Sequence, residues 1–321
     1  TFLDSLNGWA VGLPGTIIKS ADGGKTWNKQ NSGVSDELRS ICFATTQAAW
    51  IVGAKGSILA TSDGGQSWNS QRTGTTNTLY DIQFINSQTG WVAGEGGTIL
   101  KTINGGQAWF PQDVGTTVDL TSVFFLDSLK GWASGHEGTI LNTVDGGQNW
   151  IAQNSGQSEN IFDIFFIDGQ TGWAVGDGTI LKSLNGGQNW VSIIYGYWSY
   201  SAIRRVQFFN DQKGWIFAGG GAVTVPVGAF YLTLNGGGDW SGGKSTRCVY
   251  FMNSLTGWSA SYDGIFKTTN GGLQWTMIHP NLTSYYLYEI YFADDLNGWI
   301  MGEAGTIFKT YDGGLTWIEE N

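Results

Sequence analysis

Residues 79–113, LYDIQFINSQTGWVAGEGGTILKTINGGQAWFPQD, decide the fold. Residues 79–85 alternate and are rich in β-branched and aromatic side chains, the pattern of a half-buried strand. The polar turn 86–90 leads to a second strand at 91–93, and 94–97 turns the chain into a third at 98–102. Asn104-Gly105-Gly106 then turns it into a fourth strand starting near Trp109. No segment of the chain sustains a helical period.

The same unit recurs along the whole chain. One tryptophan series follows a glycine or alanine, at Trp9, Trp50, Trp91, Trp132, Trp173, Trp215, Trp258 and Trp299, at spacings of 41 to 43 residues. A second series closes a Gly-Gly-x-x-Trp turn, at Trp27, Trp68, Trp109, Trp150, Trp190, Trp240, Trp275 and Trp317. Sixteen of the seventeen tryptophans fall in these two series, which excludes chance; Trp198 alone stands outside. Four short antiparallel strands per unit, at a period of about 40–45 residues, is the pattern of propeller blades. The expected architecture is all-β, a single-domain β-propeller of eight four-stranded antiparallel blades. The repeats lie near 1–31, 38–72, 79–113, 120–154, 161–194, 203–243, 246–279 and 287–321. Seven blades plus a partial unit is the alternative, because repeat one lacks most of its first strand. Repeat six is stretched by residues 219–228.

Composition agrees. Glycine is 50 residues and proline only 4, while aromatics are 14%, so the glycines belong to turns and the aromatics to a core. A net charge of −10 with 16 basic residues disfavours a nucleic-acid partner. No stretch of 18 apolar residues marks a membrane span. Two histidines without a cluster argue against zinc, and nothing calls for a cofactor. Cys42 and Cys248 lie on strands that do not neighbour each other, so two thiols are expected rather than a disulfide. Few lysines with abundant Asn, Thr, Gly and Trp fit an extracytoplasmic protein, whether periplasmic, cell-surface or secreted.

Asp22, Asp63, Asn104, Asp145, Asn185, Asn235, Asn270 and Asp312 share one position in the turn between strands three and four, each before Gly-Gly. Their side chains are expected to accept a backbone N–H two residues on, with the glycines taking positive φ. The Ser or Thr two residues earlier can cross-bond the same turn, and the following tryptophan is expected to wedge between sheets. Half of these residues are Asn, so the position reads as structural rather than metal-binding.

These residues carry a resemblance. Ser20-Ala-Asp22-Gly-Gly-Lys-Thr26-Trp27 and its copies resemble the Asp-box, or bacterial neuraminidase repeat, found in sialidases, some xyloglucanases, sortilin-type receptors and propellers like the photosystem II assembly factor. The longer pattern Gly-Trp-Ala-Val-Gly-x-x-Gly-Thr-Ile-x-Lys-[ST]-x-[DN]-Gly-Gly-x-x-Trp is most similar to the last group. The resemblance implies a propeller and a protein-binding or assembly role. Relatives of that group also carry an arginine-rich patch.

In a four-stranded blade, the two–three turns and the connections between blades share one end, and variation on a rigid scaffold is where binding groups sit. Four of the five arginines, Arg39, Arg204, Arg205 and Arg247, fall at the opening of first strands, expected at the mouth of the central channel. Asp81, Asp163 and Glu289 stand one residue later, in the register of Arg205, and are either partners of the arginines or part of the site. Glu95, Glu137, Asp177, Asp263 and Glu303 on the turns, with Tyr197 and Trp198 on a connection, form a candidate rim for ligand contacts. The expected function is a non-enzymatic protein-binding, assembly or structural subunit, its partner a protein such as a membrane-complex subunit. The alternative is a carbohydrate-binding protein or glycoside hydrolase acting on a glycan. No catalytic residue is assigned: a sialidase-type motif is absent, and symmetry-related acids are expected on such turns without catalysis.

Overall fold

The computed structural model describes residues 3, 6–22, 26–193, 202–218, 229–245, 248–261, 264–280, 287–302 and 306–320. Among them the regular elements are strands, apart from two 3-10 turns at Ala54–Gly56 and Glu95–Gly97. Eight antiparallel sheets follow one another in sequence order, the blades of an all-β propeller. Seven are four-stranded; the first holds three described strands, Gly8–Gly12, Thr16–Ser20 and Asn28–Gln30. Blade three consists of Leu79–Phe84, Gly90–Gly94, Thr98–Thr102 and Phe110–Pro111, within a residue or two of the strands expected from the pattern. The stretched segment 219–228 lies outside the described residues.

The chain divides into two compact parts. One comprises Ala10–Ile18 and Lys29–Val206 and holds blades two to five entire. The other comprises Thr1–Trp9, Lys19–Asn28 and Gln207–Asn321 and holds blades seven and eight. Each part is built from the same aromatic clamp. Trp50 of blade two lies flat on Phe84 of blade three, with ring centroids 3.5 Å apart and planes 8° apart. Trp109 meets the same phenylalanine edge-on at 5.9 Å. Trp50 Nε1 donates to the Gly105 carbonyl at 3.0 Å, tying one sheet to the turn of the next. The clamp recurs as Trp91–Phe125–Trp150 and Trp132–Phe166–Trp190 in the first part, and as Trp258–Phe292–Trp317 in the second. The wedge between sheets is thus the tryptophan of the first series. The second-series tryptophan, expected there, instead braces the phenylalanine of its own sheet. Burying one such indole contributes on the order of 4–6 kcal/mol before ordering costs.

Trp50 follows Ala49, but in the other blades a glycine precedes the wedge, and at Gly90 and Gly131 a ring takes the space of a Cβ. A Cβ on Gly131 would sit 2.4 Å from the Phe125 ring, and one on Gly90 2.6 Å from Phe84. Blade six breaks the pattern: Phe230 of its third strand stacks on Phe251 at 5.4 Å, and Trp215 is displaced to a tilted contact with Phe230. Its buried Nε1 finds no acceptor among the described residues.

The Asx turn is the second repeated device. In all eight blades the Ser or Thr hydroxyl donates to the Asx side chain at 2.7–3.1 Å. The Asx oxygen accepts the N–H four residues on, at 2.8–3.0 Å, rather than two residues on as expected. Two successive left-handed glycines, as Gly64 and Gly65 (φ 69° and 73°), carry the chain round before an N–H points back. The Ser67 hydroxyl and N–H hold the Asp63 carboxyl well below the usual range, and Asn149 lowers Asp145 to about 2. At Asp22 and Asp312 partial burial opposes the same effect, and bonds from Thr26 and Thr316 outweigh it.

Two predictions follow from these devices. Gly131→Ala destabilises by roughly 1–3 kcal/mol through overpacking, and pairing it with Phe125→Leu recovers part of the loss in urea unfolding; strict additivity of the two changes would refute the clamp. The depressed carboxyls stabilise the fold fully above about pH 4, and this contribution is lost as pH falls towards 2. Replacing Asp22, Asp63, Asp145 and Asp312 together by Asn, as four blades already have, should make the fall of Tm between pH 5 and pH 2 shallower. An unchanged slope would exclude the turns as its cause.

Candidate functional site

The openings of the first strands lie beside the two–three turns. Ala54, Glu95, His136 and Asp177 donate their N–H groups to the carbonyls of Glu37, Thr78, Asp119 and Asn160, at 2.8–3.0 Å. In blades two to five these bonds hold each two–three turn against the connection that opens its first strand. Arg39 is exposed, bonds Glu37 at 2.6 Å and lies over the Tyr80 ring at 5.4 Å. Arg204 is exposed and lies over Phe162 at 4.1 Å. Tyr80 in turn donates to Asp119 at 3.3 Å, and burial together with Asp119 and Glu95 pushes its phenol up. Successive first strands thus present Arg39, Tyr80, Thr121, Phe162 and Arg204 in one register, a row with a cation at each end and aromatic faces between.

The turn acids differ in what they do. Glu95 accepts the Thr78 N–H at 3.0 Å and Asp177 accepts from the Asn160 side chain at 3.0 Å, so both brace their own connection. Glu137 is exposed and holds a left-handed conformation (φ 53°), as does Lys55 (φ 55°), where other blades place Gly96 and Gly178. Both residues thus hold a backbone conformation that glycine adopts more readily. Lys55 pairs with Asp36 at 2.7 Å. Arg247, Tyr197, Trp198, Asp263 and Glu303 lie outside the described residues, and Glu289 lies in the strand Leu287–Phe292 with its side chain outside them.

Beneath the row, side chains stitch each first strand to the next. Asp81 accepts the Val123 N–H at 3.0 Å, and Asp163 accepts the Val206 N–H at 2.9 Å. Gln83 clamps Phe125 from both sides, accepting its N–H at 2.6 Å and donating to its carbonyl at 3.0 Å. Cys42 Sγ accepts the Phe84 N–H at 3.4 Å, and burial pushes this thiol up. Cys42 and Cys248 are both thiols, with no disulfide between them. Asp81 and Asp163 keep part of their surface open, yet protein surrounds them closely enough that burial raises both carboxyls despite their hydrogen bonds. Arg205 attracts both without a described carboxylate within 4.0 Å, so the two acids act first as strand stitches and only second as its counterions. Gln83 was not singled out from the sequence, and Cys42 only as a thiol; their signal as stitches is a register two residues beyond Asp81 and Ser40. Among the described residues no three His, Cys, Asp or Glu side chains converge as a metal would require, and no helix is long and apolar enough to cross a membrane.

The family model of the photosynthesis system II assembly factor YCF48 matches residues 1–74 and 66–154. Among solved structures, YCF48 bound to D1 peptide is 18% identical with a TM-score of 0.61, over 86% of this chain and 93% of that one. YCF48 from Cyanidioschyzon merolae is 20% identical with a TM-score of 0.58, over 85% and 95%. A computationally designed protein, Ika8, is 16% identical with a TM-score of 0.71, over 97% and 94%. At these identities the likeness is one of fold. No curated protein matches the chain in sequence.

The stitches carry their own prediction. Gln83→Ala leaves the Phe125 N–H and carbonyl without protein partners, at a cost of about 1–2 kcal/mol. Amide exchange at Phe125 should then accelerate about tenfold, with Ile51 of blade two unaffected; an unchanged Phe125 rate would mean that backbone packing alone protects the edge.

Proposed function

We propose that this chain, whose residues 1–154 match the family model of the photosynthesis system II assembly factor YCF48, is a non-enzymatic, extracytoplasmic propeller that holds an extended, acidic segment of a protein partner. The partner is a subunit of a larger complex, in the first instance a membrane complex. The contact is the row Arg39, Tyr80, Thr121, Phe162 and Arg204, with Arg205 at the next position of the last strand. One observation carries this reading: the guanidinium at each end of the row lies over an aromatic ring, Arg39 on Tyr80 and Arg204 on Phe162. Such stacking orients the planar fork and leaves its N–H groups for carboxylates. Further support comes from a neighbour of the same fold that binds a peptide. The acidic, lysine-poor composition supports an extracytoplasmic location, which fractionation of the native cell would test.

Glycan binding or hydrolysis is the other reading. Two of its rim carboxylates, Glu95 and Asp177, are engaged in holding turns, which leaves them poorly placed as an acid and base pair.

Charge reversal at Arg39 and Arg204 together should lower capture of an aspartate-rich peptide at least tenfold, since hydrogen bonds to charged groups contribute roughly 1.5–3 kcal/mol each. Tm should stay within a few degrees, because neither guanidinium packs in the core. Retained capture by the double variant would reject the row as the contact. Turnover of a chromogenic glycoside panel would favour the other reading.

A further inference from the structure

In five successive first strands one register carries Ser40, Asp81, Ser122, Asp163 and Arg205. The buried Ser122 hydroxyl lies between the two acids, 3.4 Å from Asp81 Oδ2 and 3.3 Å from Asp163 Oδ1. A hydroxyl has one proton to give and lone pairs to receive with. With both carboxylates ionised it can donate to only one, and the other oxygen faces a lone pair. One added proton completes the bridge: one acid donates to Ser122, and Ser122 donates to the other acid. The backbone N–H groups of Ile82, Val123, Ile164 and Val206 remain bonded to the acids in either state.

We propose that the Asp81–Ser122–Asp163 bridge is a proton-accepting counterion that sets how strongly the arginine row takes a carboxylate ligand, weakly with the bridge unprotonated and strongly once it holds one proton. This rests on the reading of the row as an acidic-segment site. The physical cause is charge. Both carboxylates attract Arg205, and each full negative charge beside it weakens its hold on an incoming anion. Among the described residues the groups facing Asp163 are Asp81 and Arg205. The strands on either side, Leu120–Phe125 and Gly172–Gly176, carry no titratable side chain, and Cys42 faces Asp81 from blade two. Burial pushes the Asp163 carboxyl up to about 6, against the Val206 N–H and Arg205, with Asp81 adding to the rise. The change of state therefore falls between pH 5 and 7. Because Asp163 binds its proton more tightly folded than unfolded, this group adds stability as pH falls from above 6 towards 4, the reverse of the Asx turns.

Two measurements on the full chain test the bridge. Carboxyl carbon NMR of Asp81 and Asp163 should show a protonation step near pH 6 in the wild type. In Ser122→Ala, which removes the shared hydroxyl, that step should move by half a pH unit or more. Steps below pH 5 in the wild type, or no change on removing Ser122, would overturn the proposal whether or not any ligand binds. A tetra-aspartate peptide, ionised throughout the range, should bind the wild type about tenfold more tightly at pH 5.5 than at pH 7.5. Asp163→Asn, isosteric with the protonated acid, should bind tightly at both pH values, and Arg205→Gln weakly at both. Binding that is present but flat with pH in the wild type would overturn the counterion role. Binding absent at every pH, with the NMR step near 6 retained, would instead reject the acidic-segment reading of the row.

Discussion

Blades three, four, five and eight depend on one contact, the phenylalanine that ends a first strand, held flat under a tryptophan of the preceding sheet and edge-on by one of its own. A four-stranded sheet with strands of two to six residues cannot bury enough apolar surface to stand alone. Within each part the clamp makes one sheet the completion of its neighbour's core. It also explains the composition: the ring takes the space where a Cβ would stand, so glycine and tryptophan rise together.

The clamp brings sheets face to face but leaves the inner edge of each first strand without a backbone partner in the next sheet. Unpaired edges are a liability, and here side chains cover them. Asp81, Gln83, Cys42, Thr121 and Asp163 each reach one repeat onward to a backbone group. The chemistry chosen for this covering varies from blade to blade. A thiol, an amide and a carboxylate fill equivalent roles, and that freedom lets charge accumulate at one end without loss of the fold. The opposite end has no such freedom, since all eight Asx turns repeat the same hydrogen bonds. Uniformity at one end and variety at the other follow from one requirement, that the turns must close while the edges need only be covered.

Much of this was legible beforehand. The two tryptophan series and the Asx-Gly-Gly turns pointed to the sheet number, the strand order and the place of each turn, because each reports a local geometry that few residues satisfy. They also placed Arg39, Arg204 and Arg205 at strand openings, because register within a repeat is a local property. The position of the wedge, the four-residue reach of the Asx oxygen and the displacement of Trp215 by Phe230 were not legible. Each is settled by atoms that meet across sheets or across a turn of unusual length. The same holds for the aromatic faces under the arginines, and for the single hydroxyl shared by Asp81 and Asp163. Residues some 40 positions apart share that proton only because strands are stacked side by side, and no periodicity in a sequence states which side chains of neighbouring strands will touch.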